Sequence, residues 1–99
     1  MLNIDTNKDG GRLEIKLTGR LDTITAPELE KTVKDTIDGA EKLTIDLEKL
    51  DYISSAGLRV LLSAQKIMNR QGSMVVTHVN ETVQEIFDVT GFADILTIE

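Results

Sequence analysis

Cysteine is absent from this 99-residue chain, which excludes disulfides, thiolate nucleophiles and cysteine metal sites and fits a reducing compartment. Aromatic residues make up only 3% of the chain against 40% hydrophobic residues. The core must therefore be built from Leu, Ile, Val and Ala, with Phe87 and Phe92 as its bulky members. Long apolar runs are missing as well. Nowhere do about 18 apolar residues follow one another, and Met1 to Gly11 holds no basic segment leading into an apolar one, so neither a membrane span nor an export signal is expected. The chain reads as soluble and cytoplasmic, with no membrane partner. An excess of positive charge is lacking too: 11 Lys and Arg face 17 Asp and Glu, a formal charge of −6. That sign is wrong for neutralising the phosphates of DNA or RNA, so no nucleic-acid partner is expected. Solubility accounts for a negative surface, and such a surface also favours encounter with a basic protein partner.

What is present is a regular pattern. Leu2, Ile4 and Thr6 alternate with polar residues, Asp9-Gly10-Gly11 supplies turn chemistry, and Leu13, Ile15 and Leu17 alternate again, which predicts an opening hairpin. Thr25 and Glu28 have the spacing of a capping box, with Pro27 tolerated in the first turn, so a helix is expected from Thr25. Leu29, Val33 and Ile37 line one side of that helix, Glu30 and Lys34 pair on its wet side, and Gly39 fits the stop. Leu43, Ile45 and Leu47 predict a strand, Glu48 to Asp51 a short acidic connection, and the apolar series from Leu58 to Met68 a second helix beginning near Ser55 and ending at Gly72. Met74 to Val79 is rich in β-formers. Asn80 can cap a third helix through Val83, Ile86 and Phe87 that ends at Gly91, and a final strand is expected around Ile95 to Ile98.

Strands alternating with helices after a hairpin predict one α/β domain over residues 1–99, with a mixed, mostly parallel sheet. Because the strands alternate rather than run continuously apolar, the helices are expected mainly on one face and water on the other.

The catalytic inventory is thin. His78 is the only histidine and reads as a strand residue rather than a general base, and no Gly-x-Ser-x-Gly elbow supports a Ser-His-Asp hydrolase. An enzyme is not expected. Asp46, Glu48 and Asp51 match no calcium loop and read as a solvated acidic edge, with no metal expected. Gly10-Gly11 lacks the Lys-Ser or Lys-Thr of a phosphate loop. No cofactor is predicted.

The segment that stands out is Asp51-Tyr52-Ile53-Ser54-Ser55-Ala56-Gly57-Leu58. Two hydroxyls sit where a strand hands over to a helix. One of them is accounted for as an N-cap, worth about 1 kcal/mol. Capping and phosphorylation are compatible, however, because a phosphate on Ser55 would meet the first-turn amides and the positive end of the helix dipole. Gly57, without a Cβ, would let another backbone or a nucleotide approach closely.

At these residues the chain resembles the STAS domain of the anti-sigma factor antagonist family. The likeness also covers Leu17-Thr18-Gly19-Arg20-Leu21-Asp22 with Thr25-Ala26, and Ile86-Phe87-Asp88-Val89-Thr90-Gly91-Phe92. The resemblance implies a STAS fold and a protein that binds an anti-sigma factor serine kinase, so freeing the sigma factor. It further implies release on phosphorylation and resetting by a serine phosphatase. By position in the motif the acceptor corresponds to Ser55, and Asp22 matches a loop aspartate beside it. Thr23, Ser54, Gly57 and Leu58 would share the partner-binding surface. Many members carry Asp immediately before the acceptor where this chain has Ser54, which leaves Ser54 as the other acceptor position. The competing expectation is a STAS binding or scaffold module that holds a nucleotide or small anion at the Ser55 helix start without being modified.

Overall fold

The alternating segments form the strands they predict. In the computed structural model, which describes residues 2–99, β1 (Leu2–Asp9) and β2 (Arg12–Leu21) form an antiparallel hairpin closed by Gly10-Gly11. Gly10 adopts φ +60°, a conformation glycine enters without steric cost. β2, β3 (Lys42–Ile53) and β4 (Ser73–Thr77) run parallel, giving a four-stranded sheet in the order β1-β2-β3-β4. Parallel neighbours need a crossover. Helix α1 (Ala26–Thr36) joins β2 to β3, α2 (Ser55–Gln71) joins β3 to β4, and α3 (Glu81–Thr90) follows the last strand.

One face of the sheet is apolar and the other polar. Leu13, Ile15, Leu17, Leu43, Ile45, Leu47, Met74 and Val76 are buried together with Leu29 and Val33 of α1, Leu61, Ala64 and Met68 of α2, and Val83 and Phe87 of α3. The alternate positions Glu14, Lys16, Thr44 and Asp46 lie on the opposite, polar face. This is the mixed α/β architecture with a helical side and a wet side that the alternation predicts. Truncating a side chain as enclosed as Ile45 to Ala would cost about 2–5 kcal/mol.

Two expectations about the length of strands change. Glu48 to Asp51 is not a connection, because β3 is continuous over 12 residues. Its apolar spacing lengthens after Leu47, yet Leu50 and Ile53 are still buried, since β3 carries an extra residue opposite Lys16–Thr18 and another opposite Gly19–Arg20. Each bulge resets the alternation. The Glu48 amide donates to Asp46 Oδ1 at 2.9 Å and fixes the first of them. At the other end, the strand expected around Ile95 to Ile98 shrinks to a single parallel bridge between Val76 and Ile98. A 3₁₀ turn over Phe92–Asp94 intervenes, and the amides of Ile95 and Leu96 are used by Phe92 O.

Candidate functional site

The parallel pairing of β2 with β3 places Leu21 opposite Ile53, so the loops that leave both strands emerge side by side. The Ser54 amide donates to Leu21 O at 2.8 Å and extends the ladder by one step. Asp22 and Thr23 thus become neighbours of the Ser54-Ser55 segment although the two stretches are distant in sequence. Ligand sites of open parallel sheets favour such strand C-terminal ends.

The Asp22 loop is internally saturated. Asp22 Oδ1 accepts from the Ile24 amide at 3.0 Å, the Thr25 amide at 3.0 Å and the Thr25 hydroxyl at 3.2 Å, and Arg20 Nε stands 4.0 Å from Oδ2. The Thr25 amide leads in holding the Asp22 carboxyl below its ordinary value. A desolvation cost opposes it, and the Ile24 amide, the Thr25 hydroxyl and the Arg20 charge add to the lowering. The capping box expected at Thr25 and Glu28 does not form. The Thr25 hydroxyl turns back into the loop, accepting from the Asp22 amide at 2.9 Å and facing Arg20 O at 2.9 Å, so it makes no side-chain cap on α1. Beyond Asp22 the loop projects outward: Thr23 is exposed and Ile24 is 85% exposed.

The start of α2 is built differently. Ser54 is the N-cap, its Oγ accepting from the Gly57 amide at 3.3 Å. Ser55 is the first residue of the helix and is exposed, and the first turn holds no acidic residue. Gly57 and Leu58 lie beneath, both buried. A Cβ on Gly57 would sit 2.6 Å from Leu21 Cγ and 3.0 Å from Ile53 Cγ1. The close approach that glycine permits here is taken by the protein's own core.

Asp22, Thr23, Ser54 and Ser55 therefore gather at one rim of the molecule, with Gly57 and Leu58 as its floor. Three neighbours were not singled out by sequence reasoning. Arg20 packs 4.6 Å from the Tyr52 ring centre, Ile24 is an exposed aliphatic, and Arg59 is exposed one helical turn beyond Ser55. Of the three, only Arg59 has a signal in the sequence, its helical spacing from Ser55. Nothing in a sequence distinguishes an exposed loop isoleucine from a buried one. His78 is not a strand residue: it follows β4 at φ +56°, exposed, with Nδ1 3.1 Å from Asp46 Oδ1. What the rim offers chemically is an accessible hydroxyl at the positive end of a helix dipole.

The fold recurs in a recognisable set of proteins. The family model of the STAS domain matches residues 3–99, and the chain belongs to the STAS-domain anti-sigma factor antagonist family. It is similar to BtrV of Bordetella bronchiseptica, whose name includes the words anti-sigma factor antagonist, with 35% identity over 98% of this chain and 85% of the relative. In fold it resembles an anti-sigma factor antagonist from Mycobacterium paratuberculosis, at a TM-score of 0.90 and 20% identity over 99% of this chain and 85% of the other. It also resembles SpoIIAA of Bacillus, solved in an unphosphorylated form (TM-score 0.78) and a phosphorylated form (0.76). Each is 15% identical over 98% of this chain, which spans 87% and 91% of the two SpoIIAA chains. No helix among the described residues is long and apolar enough to cross a membrane.

Proposed function

We propose that this chain acts as a single-domain anti-sigma factor antagonist in the cytoplasm: unmodified, it binds an anti-sigma factor that is also a serine kinase, and so frees the sigma factor. The kinase phosphorylates Ser55 with ATP, the complex separates, and a serine phosphatase restores the binding form. The chain is a substrate in this cycle, not an enzyme. The observation that carries the reading is the exposed Ser55 hydroxyl on the first residue of α2, beside the Asp22 loop. SpoIIAA, a protein of this fold, exists in both phosphorylated and unphosphorylated forms.

Physical chemistry links the modification to release. A phosphate adds about −1.5 to −2 charges at neutral pH, and Asp22, its carboxyl already lowered, keeps a negative charge in the neighbouring loop. The free protein accommodates the group, because a helix start has amides to satisfy and Ser54 Oγ takes only that of Gly57. In the complex the same dianion would be desolvated against the partner, a cost of several kcal/mol unless a cation pairs with it. A loss of about 3 kcal/mol weakens binding more than about a hundredfold. Asp22, Thr23, Ser54 and Ser55 form the contact rim in this reading, while Gly57 and Leu58 support it from below. The part-buried capping role of Ser54 supports Ser55 as the acceptor.

Incubation with the cognate kinase and ATP, followed by phosphosite mapping, tests this. Ser54→Ala should still be modified and Ser55→Ala should not. Undiminished phosphorylation of Ser55→Ala would move the switch elsewhere. A nucleotide or anion retained by the unmodified protein in native mass spectrometry, with no mass gain from the kinase, would favour a binding module instead.

A further inference from the structure

A second group of functional side chains lies on the polar face of the sheet, apart from the Ser55 rim. The parallel register of β3 and β4 sets Asp46 opposite Thr77, and the next residue, His78, turns its ring toward Asp46. His78 Nδ1 stands 3.1 Å from Asp46 Oδ1. Glu48 completes the group: one imidazole nitrogen and two carboxylate oxygens all lie within 4.8 Å of one another. We propose that Asp46, Glu48 and His78 form a surface binding site for a divalent transition-metal ion of the zinc and nickel class.

The spacing fits one ion. Ligand atoms about 2.0–2.2 Å from zinc, at tetrahedral or octahedral angles, stand about 3–3.5 Å apart, and the His78–Asp46 separation falls in that range. Asp46 is already held in place, its side chain only 13% exposed and its Oδ1 accepting from the Glu48 amide at 2.9 Å. Such outer hydrogen bonds orient a ligand before the metal arrives. Glu48 is exposed and can swing in to close the set. A mixed nitrogen and oxygen donor set selects borderline transition metals over magnesium or calcium, which prefer oxygen alone. Lys16, opposite Asp46 in the register, and Lys49 and Asp5 on the same polar groove face the site. The two lysines lower its affinity, and the three protein ligands leave the remaining coordination positions to water.

His78 is the only histidine, so its ring protons report binding directly. Untagged protein is titrated with zinc chloride by calorimetry, and the imidazole C–H resonances are followed in parallel. Saturation at one equivalent with a shift of those resonances is expected, with no comparable heat from magnesium chloride. His78→Asn, which tolerates the left-handed backbone, should weaken zinc binding at least about tenfold, and Glu48→Gln, at an exposed position, should weaken it without altering the fold. Binding that fails to saturate, equal binding of magnesium, or wild-type affinity in His78→Asn would overturn the site. None of these outcomes bears on Ser55.

Discussion

The starts of α1 and α2 meet at the same end of the sheet, yet they are finished in opposite ways. At α1, Asp22 gathers two amides and a hydroxyl onto a single oxygen, and Thr25 is consumed in the same loop. At α2, Ser54 makes one long bond and leaves Ser55 outside it, exposed on the first turn. A carboxylate already occupies the loop that leads into α1, whereas the start of α2 has no acidic residue in its first turn and leaves Ser55 uncovered. In the proposed cycle it is this uncovered start of α2 that carries the phosphate, with Asp22 as its neighbour.

The difference can be broken at several points, beginning with the largest effect. Gly57→Val should destabilise the protein by about 1–3 kcal/mol in urea unfolding, because its Cβ would press on Leu21, which is fully buried and has no room to yield. A wild-type midpoint would mean that α2 is not clamped against β2. Ser54→Ala removes the only side-chain cap of α2 and should cost about 1 kcal/mol or somewhat less, given the 3.3 Å bond. Asp22→Asn keeps an oxygen acceptor but removes the lowered carboxyl. The stability that Asp22 contributes is present above the unfolded carboxyl value of about 3.9. It is lost as the pH falls through the lower folded value, so unfolding midpoints of wild type and Asp22→Asn should differ at neutral pH and converge in acid. Ser55→Ala should change stability by less than about 0.5 kcal/mol. A larger loss would mean that Ser55, and not Ser54, caps the helix.

The elements were legible where one period dominated. β1, β2 and the three helices follow from alternation, helical spacing, a cap at one of the two serines before α2 and the cap at Asn80, which accepts from the Val83 amide at 2.9 Å. β3 escapes the strand pattern from Glu48 to Asp51 because its bulges shift the apolar residues from every second to every third position, a spacing that no single period describes. The capping box failed because Thr25 has two possible partners, and local sequence does not reveal that the loop outcompetes Glu28. At the rim, helical spacing and capping chemistry marked Ser54 and Ser55, but the approach of Asp22 depends on Leu21 pairing with Ile53, a long-range register visible to sequence only through family resemblance. The pairing of His78 with Asp46 is hidden for the same reason. The parallel register of β3 and β4 creates it, and neither residue's neighbours announce it.

The most direct measurement sets the stoichiometrically phosphorylated chain beside the unmodified one, following thermal unfolding and affinity for the cognate anti-sigma kinase in the same buffer. Expected are an unfolding temperature equal to or above that of the unmodified chain and a loss of affinity of more than about a hundredfold. Phosphorylated protein that still binds its partner tightly, or that lets go only because it has unfolded, would contradict an open helix start built to carry the charge.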